Sequence, residues 1–566
     1  MSPLTPEELE ERLGDPADEA NPYGFAAAVA RDEREEFPEE LCAELVRAGF
    51  HLNYLPEEWG GAFESFDRSL TLVRSAARRD VNVMPGTMFS IIAATCLQLH
   101  GSKEQRRRAA EILRGGGAVA FALTEAAHGS DLLAGEVRLG PEGLLTGEKW
   151  MVGLGLRCEA VYVVARTGER GPAAFSAVLL ETAGVPDGRL ERTPAPRTGG
   201  MRGIDLATLR FHDVPVPPEA LVGKEGEGLE AAVKAQQAVR LMSMAGSLGI
   251  ADTAVRLALD FAAERRVGRT ALADTPYARR ELAVASAALL AADAVALSAA
   301  RGVHVVPEAF SVWALAAKHV VAEAADDLIR RCGTVLATRS VLREGAPGGG
   351  LFQKLQRDSA VVRVIDASTL ANLRSYAGQL PTLTEGGGRP DPAAVKTVFT
   401  LDAELPPYDP ARLDLFARGA DPVLAALPEA VAVADELGES GFLVRQLVDA
   451  AAGLGELTRA ARQSGADPNA LVDVAERYAW LHAAACCLHL WRSGRDRSLY
   501  GAEPGDPGWL GAVLAYLLAR ADGVDPRRHG ALLTPAYDTV RALRDTGRLV
   551  TARPVRLAAA PHPTAR

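Results

Sequence analysis

The chain has 566 residues, 48% of them apolar and 24% charged, with a formal net charge of −11. That length holds several domains with buried cores. The composition is that of an ordinary soluble protein, and its acidic balance argues against a nucleic-acid binder.

Residues 1–120 carry helical periodicity. Pro6-Glu7-Glu8-Leu9-Glu10 opens with an early proline and a run of acids, as helices do, and Pro38-Glu39-Glu40-Leu41 repeats the pattern. Leu41, Leu45, Val46 and Phe50 then share one face, with Gly49 as a stop. The stretch Pro56 to Gly61 reads as a loop, and further helices are expected near 66–79, 87–100 and 103–114, the last opening on Ser102.

Next comes Phe121 to Asp131, F-A-L-T-E-A-A-H-G-S-D. It crowds Thr124, Gly129 and Ser130 into one turn, where hydroxyls and free backbone N–H groups could bond a flavin ring or a pyrophosphate. An ordinary helix-to-strand loop has the same composition. His128 beside Ser130 could reach a substrate, although a lone His is more often a satisfied structural residue.

From 121 to 227 the period changes to two. Val161 to Ala165 and Ala174 to Leu180 read as buried strands, and Leu206 to Val214 alternates with Ala207, Leu209 and Phe211 on one side. A small antiparallel β domain, sandwich or barrel, is expected. Residues 228–378 return to helices near 229–265, 277–301, 307–331 and 351–376, a four-helix bundle. In the first of these, the small residues Ala245, Gly246, Gly249 and Ala251 would let a helix or a ligand approach. Leu282 to Ala300 is apolar, mostly Ala, and reads as a core helix rather than a membrane span. Residues 379–399 read as a linker around Gly386-Gly387-Gly388-Arg389-Pro390, and 400–566 as a further helical region. The Arg-rich end from Arg527 reads as a solvated terminus. The fold class is therefore mainly α with a central β domain.

Six cysteines are scattered along the chain, and no secretory leader is evident, so a reduced, cytoplasmic setting is expected. Cys486-Cys487 with His489 has no second ligand pair at finger-like spacing, and no metal site is assigned. Lysine is confined to Lys103, Lys149, Lys224, Lys234, Lys318, Lys354 and Lys396 among many Arg and Ala, the usage of a GC-rich bacterial genome.

Over about residues 25–378 this order of domains and strings resembles the acyl-CoA dehydrogenase superfamily of FAD enzymes. Phe121 to Asp131 is similar to its T-E-x-x-x-G-S-D segment, Gly147-Glu148-Lys149-Trp150-Met151 to its G-x-K region, and Gly200 to Gly226 to its G-M-R-G…V-P…G signature. The resemblance implies FAD as cofactor. Phe121, Leu123, Thr124, Gly129 and Ser130 would meet the isoalloxazine and pyrophosphate, with Met151 and Gly153 beside the ring. Gly333 and Ser368 would stand at the adenosine end. Arg265 would reach the FAD of a neighbouring subunit in a homodimer or homotetramer, against the alternative of a surface Arg at a helix end. Ser130 and Arg240 would line the substrate.

Asp366, in Arg363-Val364-Ile365-Asp366-Ala367-Ser368, occupies the place of the family's catalytic Glu and is the candidate base. The other base position of the superfamily is Val239 here. Gly153 stands where a Thr or Ser usually bonds the flavin N5 region. The implied reaction is α,β-dehydrogenation of an acyl thioester on coenzyme A or a carrier protein, with an electron-transfer flavoprotein or oxygen as acceptor and specialised bacterial metabolism as its expected setting. The alternatives are an oxidase of the same scaffold, of acyl-CoA oxidase or nitroalkane oxidase type, and a degenerate flavin-binding relative without catalysis. The region from 400 is similar in position to the C-terminal extensions of very-long-chain dehydrogenases and acyl-CoA oxidases.

Overall fold

The computed structural model describes residues 3–558 except 346, 367, 387–390, 465–466 and 468. The N-terminal helices are α1 (Pro6–Leu13), α2 (Phe25–Arg34), α3 (Glu39–Arg47), α4 (Phe66–Ala77), α5 (Val83–Met88), α6 (Ser90–His100) and α7 (Lys103–Arg114). Capping boxes start two of them: Thr5 with Glu8 on α1, and Ser102 with Gln105 on α7. Leu41, Leu45 and Phe50 are buried, as their spacing predicts.

The strands are β1 (Val119–Ala122), β2 (Arg138–Leu139), β3 (Leu144–Gly153), β4 (Ala160–Arg166), β5 (Phe175–Glu181), β6 (Leu190–Pro194), β7 (Leu206–Pro215) and β8 (Leu221–Val222). They form one sheet in the order β6-β7-β3-β2-β4-β5-β8, with β1 also beside β4. Most pairs are antiparallel, but β1 and β2 each run parallel to β4, which corrects the expected all-antiparallel domain. The long connection from β1 to β4 by way of β2 and β3 supplies the crossover that a parallel pair needs.

Both faces of β4 are covered. Val161, Val163 and Ala165 pack with Leu209 and Phe211 inside the β domain, while Tyr162 and Val164 join the helical core. This is why the strand reads as an unbroken apolar run.

The bundle comprises α8 (Gly228–Glu264), α9 (Pro276–Val305), α10 (Phe310–Leu336) and α11 (Leu351–Val364), followed by α12 (Thr369–Ala377). The small residues of α8 admit other elements of the protein: a Cβ on Gly249 would stand 2.9 Å from the backbone N of Arg78, just past α4. The apolar window of α9 is long enough to cross a membrane, yet it is entirely buried inside the protein. The single helix expected over 351–376 is broken. Ile365 is extended, Asp366 takes the left-handed φ of 63°, and Ser368 starts α12 as its N-cap. Asp tolerates that backbone better than most residues, and the break falls on the candidate base.

Residues 379–399, read as linker, carry α13 (Leu380–Glu385) and α14 (Pro392–Phe399); the glycines and Arg389-Pro390 at 387–390 lie outside the described residues. Beyond them come α15 (Pro422–Ala425), α16 (Leu427–Ala430), α17 (Gly441–Ala452), α18 (Leu454–Ser464), α19 (Ala470–Gly494), α20 (Gly508–Ala521) and α21 (Gly530–Asp545). Helices α19, α20 and α21 pack on α9, and α19 also on α10 and α12.

The solvated terminus expected after Arg527 is corrected as well. Leu549, Val550, Thr551 and Ala552 are buried. Val550 N–H donates to Asp252 at 3.2 Å and Ala552 N–H to Asp293 at 2.9 Å, while Arg74 donates to Val550 O at 2.7 Å. Buried charges inside the bundle need those backbone partners, a demand that local composition does not reveal.

Candidate active site

The loop after β1 is held from behind by a buried ion pair. Lys149, on β3, donates to Leu123 O at 2.8 Å and to Glu125 Oε1 at 2.7 Å, and Glu125 accepts the N–H groups of Glu136 and Val137 at 2.7 and 3.1 Å. Burial pushes the Glu125 carboxyl up, but Lys149 and those N–H groups outweigh it and leave the group below its ordinary value. Burial lowers Lys149 in turn. Trp150 N–H closes the staple on Thr124 O at 2.8 Å. Phe121 leans inward and stacks on Tyr162 at 5.8 Å.

The front of the loop is open. Gly129 has φ 54°, and a Cβ there would meet nothing within 4 Å. Ser130 is exposed and Thr124 partly so, and among the described residues neither hydroxyl has a hydrogen-bond partner. His128 Nε2 is buried without a partner, with Glu136 3.8 Å away. An open turn presenting hydroxyls suits a flavin or pyrophosphate, so these residues fit the group that the resemblance implies.

Farther along β3, Met151 has φ 56° and sits at an irregularity in the pairing with β7. Gly153 follows. A Cβ on it would lie 1.9 Å from the ring of Phe89, which stands between α5 and α6. The missing Thr or Ser at 153 therefore has a local cause: the space is taken by an aromatic ring from the N-terminal domain.

The base end is assembled from three helices. Asp366 is partly exposed as a residue, but its Oδ2 is sealed from solvent and has no hydrogen-bond partner among the described residues. Burial raises the carboxyl above its ordinary value, against the opposing fields of Lys318 and Arg240 and the Ser243 hydroxyl. Arg240, on α8, is buried with an unpartnered Nε, and its pKa is brought down to about 10 by burial. Lys318, on α10, is fully buried and donates to Val362 O at 2.9 Å and Arg363 O at 3.3 Å, two carbonyls in the last turn of α11. Val239 is buried and offers no carboxylate.

The middle of α11 is fixed by the β domain. Asp358 accepts Met201 N–H at 2.5 Å and pairs with Lys354 at 2.6 Å, which also reaches Asp80 at 3.2 Å. A Cβ on Gly200 would lie 2.0 Å from Arg357 O. The Gly200-Met201 turn thus braces the helix that Asp366 follows.

The remaining residues of the sequence reading lie apart from this group. Arg265 is the exposed cap of α8, roughly 37 Å along that helix from Arg240 at about 1.5 Å per residue. Gly333 is on α10 near Gln356 and Phe352. Ser368 is exposed, and its hydroxyl accepts Ala371 N–H as the α12 cap. The sequence reading missed Glu125, Lys318, Ser243 and Phe89. One signal was available for the cations: in a chain that uses Arg for nearly all its positive charge, Lys149, Lys318 and Lys354 are three of only seven lysines, and all three are buried.

Three family models match in order: acyl-CoA dehydrogenase, N-terminal domain, over residues 18–115; middle domain over 120–214; and C-terminal domain over 226–369. A mitochondrial isobutyryl-CoA dehydrogenase of Dictyostelium discoideum is 30% identical over 242 residues, which is 42% of this chain and 57% of that relative. The chain thus spans little more than half the length of that curated relative. A Bacillus anthracis acyl-CoA dehydrogenase solved with FAD has the same fold over 95% of this chain and 97% of its own, at TM-score 0.67 and 18% identity. The similarity therefore extends into the helices beyond residue 400. A solved prolyl acyl carrier protein oxidase covers 62% of this chain and 92% of its own, at TM-score 0.58 and 18% identity.

Proposed function

The chain belongs to the acyl-CoA dehydrogenase family, whose cofactor is FAD, and from that footing we propose that it removes two hydrogens across Cα–Cβ of an acyl thioester, with Asp366 as the base. The observation that carries this reading is the Asp366 carboxyl, buried at the break between α11 and α12 with one oxygen unpartnered. A shielded carboxylate whose pKa is raised by burial is suited to take a weakly acidic proton.

Asp366 takes the α-proton of the thioester, and the left-handed backbone re-aims a side chain one methylene shorter than Glu. FAD, when bound, supplies the acceptor for the β-hydrogen and its electron pair, so that an α,β double bond remains. Thr124, Ser130 and the open turn around Gly129 hold the cofactor, while the Lys149–Glu125 pair keeps that turn in place. Phe89 against Gly153 narrows the same wall. Arg240 borders the acyl group. Arg265 is exposed and remote from its own base, and would serve the cofactor of a partner subunit in a homo-oligomer.

A relative named for a CoA thioester and a solved neighbour named for an acyl carrier protein support a thioester substrate on either carrier. The six buried free cysteines suit a reducing cytoplasm.

The test is Asp366→Asn. Loss of a general base lowers the rate of flavin bleaching by acyl thioesters on the order of 10²–10⁴-fold, with the visible FAD spectrum retained. Unchanged bleaching would remove Asp366 from the chemistry. Oxygen uptake during turnover separates an oxidase from an enzyme that passes electrons to a flavoprotein.

A further inference from the structure

Asp366 does not stand alone against solvent. It is faced by Lys318 from α10 and by Arg240 and Ser243 from α8, so one carboxylate is set among two cations and a hydroxyl. Lys318 is in turn faced by Asp366, by Arg240, by Glu323 of its own helix and by Arg363 of α11. Arg363 is engaged elsewhere, pairing with Glu323 at 2.7 Å. Lys318 differs from Arg240 in one respect: its ammonium is bonded to Val362 O and Arg363 O, the carbonyls that precede the left-handed turn. A cation at the open carbonyl end of a helix is favoured by the helix dipole and satisfies groups that would otherwise be orphaned.

Resting on the reading of Asp366 as base, we propose that Lys318 is a positioning residue: it ties the end of α11 in the register that turns Asp366 into the site, and its positive charge holds Asp366 as a carboxylate ready to accept the α-proton. The pH behaviour follows with a definite sign. Burial brings Lys318 down to about 8, so it is charged through the neutral range. Its field opposes the rise that burial imposes on Asp366. A neutral residue at 318 lets that rise go further, and the acid limb of the reaction moves to higher pH.

The experiment compares full-length, FAD-loaded wild type with Lys318→Gln, which can still donate to both carbonyls without a charge, Lys318→Met, which fills the space without donors, and Lys318→Arg. The acid limb of flavin bleaching should move up by roughly one pH unit, a tenfold change in proton affinity, in both neutral variants and stay in Lys318→Arg. A second readout needs no substrate: the infrared band of the protonated Asp366 carboxyl, identified by its absence in Asp366→Asn, should titrate at correspondingly higher pH in Lys318→Gln. An acid limb and an infrared titration that both stay at the wild-type pH would overturn the proposal. So would failure of both neutral variants to fold while Lys318→Arg folds, which would leave Lys318 a structural prop. If Asp366→Asn bleaches normally, the base reading fails by itself, and the infrared titration still decides whether Lys318 governs the carboxyl.

Discussion

The two ends of the site are built in opposite ways. The turn from Phe121 to Asp131 is open in front, is made of contiguous residues, and offers small donors held by one buried pair behind it. The Asp366 end is closed and gathers Arg240, Ser243 and Lys318 from two helices distant in sequence around a break in a third. A surface that receives a large rigid cofactor can be written in one stretch of backbone. A carboxyl whose proton affinity must be tuned needs charges brought from several directions.

That contrast is open to direct attack. Asp366→Asn strikes only the closed end and should leave FAD bound, as described above. The strongest blow at the open end is Lys149→Met. It strips Leu123 O and the Glu125 carboxylate of their cation, and breaking a buried pair by removing one partner costs about 3–5 kcal/mol. Urea denaturation should register that loss together with release of FAD. A cost under about 1 kcal/mol with cofactor retained would show that the turn does not depend on the staple.

Gly153→Ala is next in size. The new methyl group collides with the Phe89 ring, and overpacking of this kind costs about 1–3 kcal/mol. Thermal melts should show the loss, and Phe89→Ala in the same chain should recover much of it. The smallest effects belong to Thr124→Val and Ser130→Ala. Each removes one donor, worth about 1 kcal/mol, so fluorescence titration should find FAD binding weaker by roughly fivefold per change. If either change instead moves the pH dependence of bleaching, the two ends are not as separate as their construction indicates.

The same contrast decides what could be read in advance. The order of helical, β and bundle domains, the candidate flavin turn and Asp366 itself are local strings, and periodicity or resemblance finds them. The antiparallel β domain was only partly legible, because β1 pairs with β4 across the whole β2–β3 excursion. The break at Asp366 was hidden: residues 351–376 carry neither Gly nor Pro, and the left-handed residue is the candidate base itself. Lys318, Ser243 and Phe89 act through partners 48, 123 and 64 positions away, distances over which spacing says nothing. The buried segment after Arg548 escaped for a related reason: its partners, Arg74, Asp252 and Asp293, belong to helices formed much earlier in the chain.

That late segment puts the protein on a clock. Val550 follows Asp252 by 298 positions, and Ala552 follows Asp293 by 259. At about 5–20 residues per second of synthesis, the bundle's buried carboxylates wait on the order of 15–60 seconds for the backbone that pairs with them. Within the bundle Asp293 already pairs with Arg74 and Asp252 with Arg256, so only the backbone bonds to the late segment are outstanding during that interval. Those two bonds, from Val550 and Ala552, are closing contacts that can form only after the helices beyond residue 400 have been synthesised.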